Sequence, residues 1–217
     1  MRFPPLLPGG QVRSGRAVIG LAAVAGYLIG TVPTANWLGK LWGVDLRRGG
    51  TGNPGANNAR RLGGLPLALL VLIVEMGKGL AAVAAGFAIG SEVGGVVAGV
   101  GAVIGNVYNV WYRFQGGKGL GITGGVLIGL WPAAFPVVAI VIILASALSR
   151  STGIGSLITL GFLLVAALAW ELTGLDNPWG VGDYTLLLPL ALGLFPVIAP
   201  KHWRDARARL RSSPAPP

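Results

Sequence analysis

The feature that most constrains this chain is an alternation: apolar stretches of membrane-spanning length are separated by short stretches rich in arginine, glycine and hydroxyl groups. Four of these polar stretches carry most of the chemistry: Asp45 to Arg61 (DLRRGGTGNPGANNARR), Arg113 to Gly119 (RFQGGKG), Ser149 to Ser156 (SRSTGIGS) and Lys201 to Arg211 (KHWRDARARLR). A lipid-spanning helix needs roughly 20 mostly apolar residues, so the remainder has room for about six or seven spans and no separate soluble domain. The composition agrees, because only 11% of the 217 residues are charged and 53% are hydrophobic, whereas a soluble domain carries about a quarter charged residues. The expected fold is an all-α integral membrane protein with about seven transmembrane helices, some of them short or broken. A tail over 1–16, a single helical domain over 17–211 and a disordered tail over 212–217 complete the expected organisation.

Apolar runs predict helices at Ala17 to Trp42, Leu65 to Gly90, Val93 to Tyr112, Leu120 to Leu130, Pro132 to Leu148, Gly153 to Trp170 and Tyr184 to Pro200. The fourth is too short to cross alone and is expected to be extended or to form a re-entrant hairpin with the fifth. Thr31 and Pro33 predict a break that lines a cavity. With alternating connections, the four polar stretches share one face with Arg47, Arg48, Arg150 and Arg204, while Ser91, Glu92 and the acidic loop from Glu171 to Asp183 lie opposite. The positive-inside rule makes the basic face cytoplasmic, although Arg2, Arg13 and Arg16 run against it. The small residues Gly95 and Gly99, Gly101 and Gly105, and Gly125 and Gly129 recur at four-residue spacing, which reads as close helix packing in lipid.

The net charge of +10 is spread between membrane segments rather than gathered on a soluble face. Lipid headgroups and phosphorylated substrates are therefore better partners than nucleic acid. The chain has no cysteine and a single histidine, His202, so thiolate chemistry is excluded and a histidine-based metal site is argued against.

Between Gly49 and Asn58, five of ten residues are glycine or proline, so no regular helix is expected through that stretch. Its glycines predict an anion-binding nest of backbone N–H groups, with Gly52, Asn53 and Asn57 lining it. Arg60 and Arg61 follow and supply bidentate phosphate contacts; the bland alternative is a turn anchored to anionic lipid. Gly116, Gly117 and Lys118 predict a second phosphate contact at a helix entrance. This is no Walker A loop, because Arg113 occupies the place of the first glycine and no hydroxyl residue follows the lysine. Glu75 and Lys78, one turn apart inside the second helix, predict either an internal ion pair or a substrate contact.

Taken together, GTVPTANWLGK from Gly30, DLRRGGTGNPGANNARRLG from Asp45, GNVYNVWYRFQGGKG from Gly105, SRSTGIGS from Ser149 and KHWRDARARL from Lys201 resemble the bacterial acyl-phosphate-dependent glycerol-3-phosphate acyltransferase family. The resemblance implies a cofactor-free enzyme of phospholipid biosynthesis in the bacterial inner membrane, its site facing the cytoplasm. Its substrates would be acyl phosphate and glycerol 3-phosphate, its products lysophosphatidic acid and phosphate. By the same resemblance the catalytic set is Thr51, Asn58, Ser156, His202 and Asp205, with Arg61 and Lys118 binding phosphate. The chain departs from the family pattern at Asn106 (histidine in the family), Gly153 (serine), Asn57 (threonine), Asp205 (asparagine) and Thr51 (serine). An Asp205 carboxylate beside two phosphates would repel them unless protonated or paired, with Arg204 or Arg209 as candidate partners.

A His-x4-Asp pair, common in thioester-using acyltransferases, is missing, because the fifth residue after His202 is Arg207. The shortage of side-chain bases leaves the acceptor's own phosphate to take the hydroxyl proton. Two rival readings stay open at this level: a transporter of a phosphorylated solute, against which the lack of internal repeats argues, and a catalytically weakened family relative.

Overall fold

The computed structural model describes residues 11–174 and 181–212. Arg2, most of the expected N-terminal tail, the centre of the acidic loop and the tail from 213 lie outside the described residues.

Every element among the described residues is helical: α1 Gln11–Thr31, α2 Thr34–Leu41, α3 Ala56–Val107, α4 Leu120–Leu130, α5 Ala134–Ser149, α6 Thr152–Thr173 and α7 Leu187–Ser212, with single 3-10 turns at Val110–Tyr112 and Tyr184–Leu186. The apolar run expected as one helix from Ala17 begins earlier, at Gln11, and breaks at Val32 and Pro33, as a proline without an N–H requires. α3 is three limbs rather than one rod. Gly64 has φ 79°, and Gly90 and Ser91 leave helical geometry together, so 56–63, 65–89 and 92–107 run in different directions. A side chain on Gly86 would strike the backbone of Gly94, which shows the last two limbs folded against each other as a hairpin. The structure corrects two expectations here. Ala56, Asn57 and Asn58 are already helical, and α7 continues past Pro200 through the basic stretch to Ser212.

Among the described residues, four helical segments are long and apolar enough to cross a membrane: Gly15–Leu41, Ala56–Tyr112, Thr152–Thr173 and Tyr184–Arg211. The second of these is the one that turns back on itself at Gly90 and Ser91. α4 has 11 residues and α5 has 16, which at about 1.5 Å per residue fall short of a hydrocarbon core of about 30 Å. The chain is thus a multi-pass integral membrane protein.

Packing follows the lipid rule, with small residues inside and large aliphatics outside. Gly26 and Gly30 of α1 lie against the backbone at Ala98 and Ala102, while Gly101 and Gly105 return the contact at Ala23 and Tyr27. Gly79 meets Ile122 of α4, and Gly125 meets Met76. Leu21, Ile73, Ile143 and Val165 are all more than half exposed on the outer surface. The interior between α3, α4, α6 and α7 is filled by Val103, Val126, Leu130, Leu163, Leu194 and Ile198. Trp131 closes one end of it, edge-on to Trp170 with ring centroids 5.4 Å apart.

Candidate active site

The first polar stretch is a self-bonded loop. Asp45 accepts the N–H groups of Arg47 (2.9 Å) and Arg48 (3.1 Å), and these two bonds hold its carboxyl below the usual carboxylate range. Asn58, the first-turn residue of α3, reaches back into the loop. Its Oδ1 accepts the N–H of Thr51 at 2.8 Å, and its Nδ2 donates to the carbonyls of Leu46 (2.8 Å) and Gly49 (3.1 Å). Gly50, at φ 59°, is where only glycine fits, because a Cβ there would collide with Asn58 Oδ1.

This geometry corrects the expected anion nest. The N–H groups of Gly49, Thr51, Gly52, Asn53 and Gly55 already have acceptors within the loop. The loop therefore presents side chains, not a backbone cradle. Asn58, expected in the catalytic set, is 1% exposed with its amide committed to the loop; it positions the loop and does not line the cavity described below, and neither does Gly52.

The second stretch is held from behind. Gly116 and Gly117 donate their N–H groups to the carbonyls of Val107 (3.0 Å) and Asn106 (2.9 Å). Lys201 of α7 donates to the carbonyls of Val107 (2.8 Å), Gly116 (2.8 Å) and Gly117 (2.9 Å). Both glycines, expected as phosphate contacts, are thus committed to the protein and serve to aim Lys118. Arg47 ties the first stretch to this one, with its guanidinium 3.9 Å from the Tyr112 ring centroid and donating to the Gln115 carbonyl at 3.0 Å.

α6 begins where Ser151 accepts the N–H of Ile154 at 3.3 Å, after Arg150 turns the chain at φ 50°. Ser156 is fully buried and donates to the Thr152 carbonyl at 2.6 Å. Asn57 reaches across from α3 and donates to Thr152 Oγ1 at 3.4 Å. On α7, the buried His202 has Nε2 3.3 Å from the Lys118 carbonyl, while its Nδ1 has no partner among the described residues. Lys118 itself forms an ion pair with Asp205.

All four polar stretches meet on one cavity of about 1090 Å³. Its polar end is made by Thr51, Asn53, Asn57, Arg60, Arg61, Lys118, Thr152, Ser156, His202 and Asp205. Its other end is an apolar slot between the middle limb of α3, α4, α5 and α6, walled by Leu72, Met76, Leu127, Phe135, Ile142 and Leu160. Ile143 both lines the slot and is 66% exposed on the outer surface, so the slot opens sideways toward lipid.

Glu75 borders the cavity and forms an internal ion pair, one of the two readings of Glu75 and Lys78. It lies 3.1 Å from Lys78, accepts from Thr34 (2.6 Å) and from Asn106 (2.7 Å), and Lys78 in turn donates to the Val32 carbonyl at 2.8 Å beside the Pro33 break. That break does line a cavity, a water-sized one behind the site. Lys201, Arg47, Thr152 and Asn106 were not singled out from the sequence as site residues. Their partners lie 31 to 95 residues away, and only Asn106, as a departure from a motif, carried a signal.

An all-helical integral membrane protein whose basic turns converge at one end of a lipid-open cavity defines the class. Within it, the family model for glycerol-3-phosphate acyltransferase matches residues 20–212. The chain is 41% identical over 195 residues to a glycerol-3-phosphate acyltransferase of Synechococcus sp. (strain JA-3-3Ab), covering 89% of this chain and 90% of that one. It is 36% identical over 185 residues to the Symbiobacterium thermophilum protein of the same name, covering 85% and 87%. The chain belongs to the glycerol-3-phosphate acyltransferase family. Its fold matches the crystal structure of PlsY (YgiH), an integral membrane glycerol 3-phosphate acyltransferase. The TM-score is 0.67 for the glycerol 3-phosphate form and 0.72 for the lysophosphatidic acid form, both at 23% identity, covering 88% and 89% of this chain and 93% and 92% of that one.

Proposed function

We propose that this protein transfers a fatty acyl group from acyl phosphate to the 1-hydroxyl of sn-glycerol 3-phosphate, releasing lysophosphatidic acid and phosphate for phospholipid synthesis. One observation carries the reading: Arg61 and Lys118, 57 positions apart in the chain, border the same cavity, and that cavity continues into an apolar slot open to lipid. Such a shape suits a donor with a phosphate head and an aliphatic tail. Family membership supports the acceptor.

An acyl phosphate is already activated, so the protein has mainly to align the two substrates and neutralise charge. Arg60, Arg61 and Lys118 supply the positive charge for the two phosphoryl groups. Thr51, Asn57 and Thr152 offer hydroxyl and amide contacts at the same end. The acceptor's hydroxyl oxygen attacks the acyl carbonyl carbon, the bond from that carbon to the phosphate oxygen breaks, and inorganic phosphate leaves. The proton passes to the acceptor's own phosphate, whose second pKa is about 6 by analogy with phosphorylated side chains. Asn58, Lys201 and His202 hold the frame and do not enter the bond changes. No cofactor or metal takes part in this scheme. The basic end faces the cytoplasm of a bacterial cell membrane, as the distribution of arginine supports.

Purified protein in detergent micelles, given palmitoyl phosphate and labelled glycerol 3-phosphate, should form labelled lysophosphatidic acid and release phosphate in equal amounts. Palmitoyl-CoA should not replace the donor. Folded protein that makes no product, or that works only with the thioester, would sink the assignment.

A further inference from the structure

The cavity contains an anion of its own. Lys118, the cation that the second polar stretch is built to aim, is paired with the carboxylate of Asp205, and both groups border the cavity. Resting on the phosphate-binding reading of this cavity, we propose that Asp205 is a built-in stand-in for a phosphoryl group. An incoming phosphate must displace it from Lys118, which makes Asp205 a specificity-determining residue of the site.

The surrounding structure fixes the lysine and leaves the aspartate free to turn. His202, less than one turn before Asp205 on α7, holds the Lys118 carbonyl, and Lys201 holds the two glycines before it. Asp205, by contrast, has 39% of its side chain exposed, so its carboxylate can swing away without loss of packing. The approach of α7 depends on Gly153. A Cβ at that position would lie 2.7 Å from Asp205 Cβ and 2.7 Å from the Ala206 nitrogen, so any side chain there would push this turn of α7, and the carboxylate with it, off its place. Gly153 and Asp205 are thus one structural unit.

Competition for one ammonium group follows Coulomb's law. A phosphate dianion carries twice the charge of the carboxylate and is also attracted by Arg60 and Arg61, which line the same cavity, so it competes with Asp205 better than a singly charged anion does. The displaced carboxylate weakens phosphate binding overall while sharpening its selectivity for dianions.

The test is calorimetric titration of the purified full-length protein with inorganic phosphate, at a pH well above the second phosphate pKa of about 6. Four proteins are compared: wild type, Asp205→Asn, Lys118→Met and the double variant. Asp205→Asn should bind phosphate roughly three- to tenfold more tightly, the range for losing one competing ion pair of partial exposure. In the Lys118→Met background the same change should have little effect. Unchanged or weaker binding by Asp205→Asn overturns the proposal, as does absence of binding in both it and wild type. Equal tightening with and without Lys118 overturns it too, because the effect would then be general charge and not competition for that lysine. Failure of acyl transfer is read separately, from product formation. A protein that makes lysophosphatidic acid but binds phosphate indifferently to Asp205 refutes only this inference.

Discussion

Lys201 Nζ lies 2.8 Å from the Gly116 carbonyl and within 2.9 Å of two more, so a single ammonium from α7 closes the turn that carries Lys118. Removing it takes the ammonium from all three carbonyls, of which that of Val107 keeps the Gly116 N–H (3.0 Å). Lys201→Met should therefore destabilise the protein by about 2–4 kcal/mol, combining a charged hydrogen-bond set with unsatisfied acceptors. It should also lower acyl transfer through a misaimed Lys118. A thermal unfolding scan in detergent with and without the substitution checks the first effect. An unshifted midpoint would show that the three bonds contribute nothing.

Asn58 and Gly50 form a second such unit, in which the amide occupies the space a Cβ at 50 would fill. Asn58→Asp keeps the acceptor for Thr51 but sets carboxylate oxygen against the carbonyls of Leu46 and Gly49. The expected cost is about 1–3 kcal/mol of loop stability, seen as a raised KM for glycerol 3-phosphate more than a lowered kcat. A kcat loss at unchanged KM would instead place Asn58 among the reacting groups.

How much of this was readable beforehand differs between helices and site. The two longer limbs of α3 and the positions of α4 to α6 follow from apolar runs, while the first limb, from Ala56, does not; the short α4 and the Pro33 break follow from length and from proline's missing N–H. Hydropathy reports the solvent around a segment, however, and not what its backbone N–H groups bind. The glycine-rich loop therefore looked like an anion cradle, although its own turns and Asn58 use those groups. Sequence proximity offers Asp205 the arginines of its own helix, whereas the ion pair with Lys118 spans 87 residues and has no local signal. Pro200 looked like the end of α7, yet the helix runs through it, since a proline costs a helix only one hydrogen bond and some local adjustment in a packed bundle.

Lys118 is the cation most closely tied to the reacting phosphates in the proposed reaction. Lys118→Ala should lower kcat/KM for glycerol 3-phosphate by roughly a hundredfold or more, the usual scale for removing one charge-stabilising group. Unfolding temperature should change little by comparison, because the residue's backbone is held by His202 and its turn by Lys201. Initial-rate kinetics on both substrates decide the matter, and turnover equal to wild type would remove Lys118 from the site.

The packing of α1 predicts a different class of effect. Gly30 touches the Ala102 backbone so closely that no side chain fits, and the face it forms is repeated at Gly26. Gly30→Val should separate α1 from the last limb of α3, which also loosens the Asn109 Nδ2 bond to the Thr31 carbonyl (2.8 Å). The expected loss is about 1–3 kcal/mol, that of an overpacked core, measured as a fall in unfolding temperature. Gly15→Val, on the same helix with nothing within 4 Å of its Cβ position, is the matched control and should be near neutral.

In the proposed reaction the acyl tail of the donor occupies the apolar slot, whose width then sets the chain length accepted. Gly124 of α4 faces Met76 and Phe135, and a Cβ there would just touch both, at 3.4 Å from Met76 Cγ and from Phe135 Cε2. A larger side chain at this point fills the slot beyond the first turn of α4. Gly124→Leu should thus depress transfer from palmitoyl phosphate far more than from an octanoyl donor, since each methylene excluded from an apolar site forfeits about 0.8 kcal/mol of binding. A donor-length series run on wild type and variant gives the answer directly. Equal loss across all lengths would mean that the chain does not pass Gly124, and the acyl tail would have to be sought along another wall of the cavity.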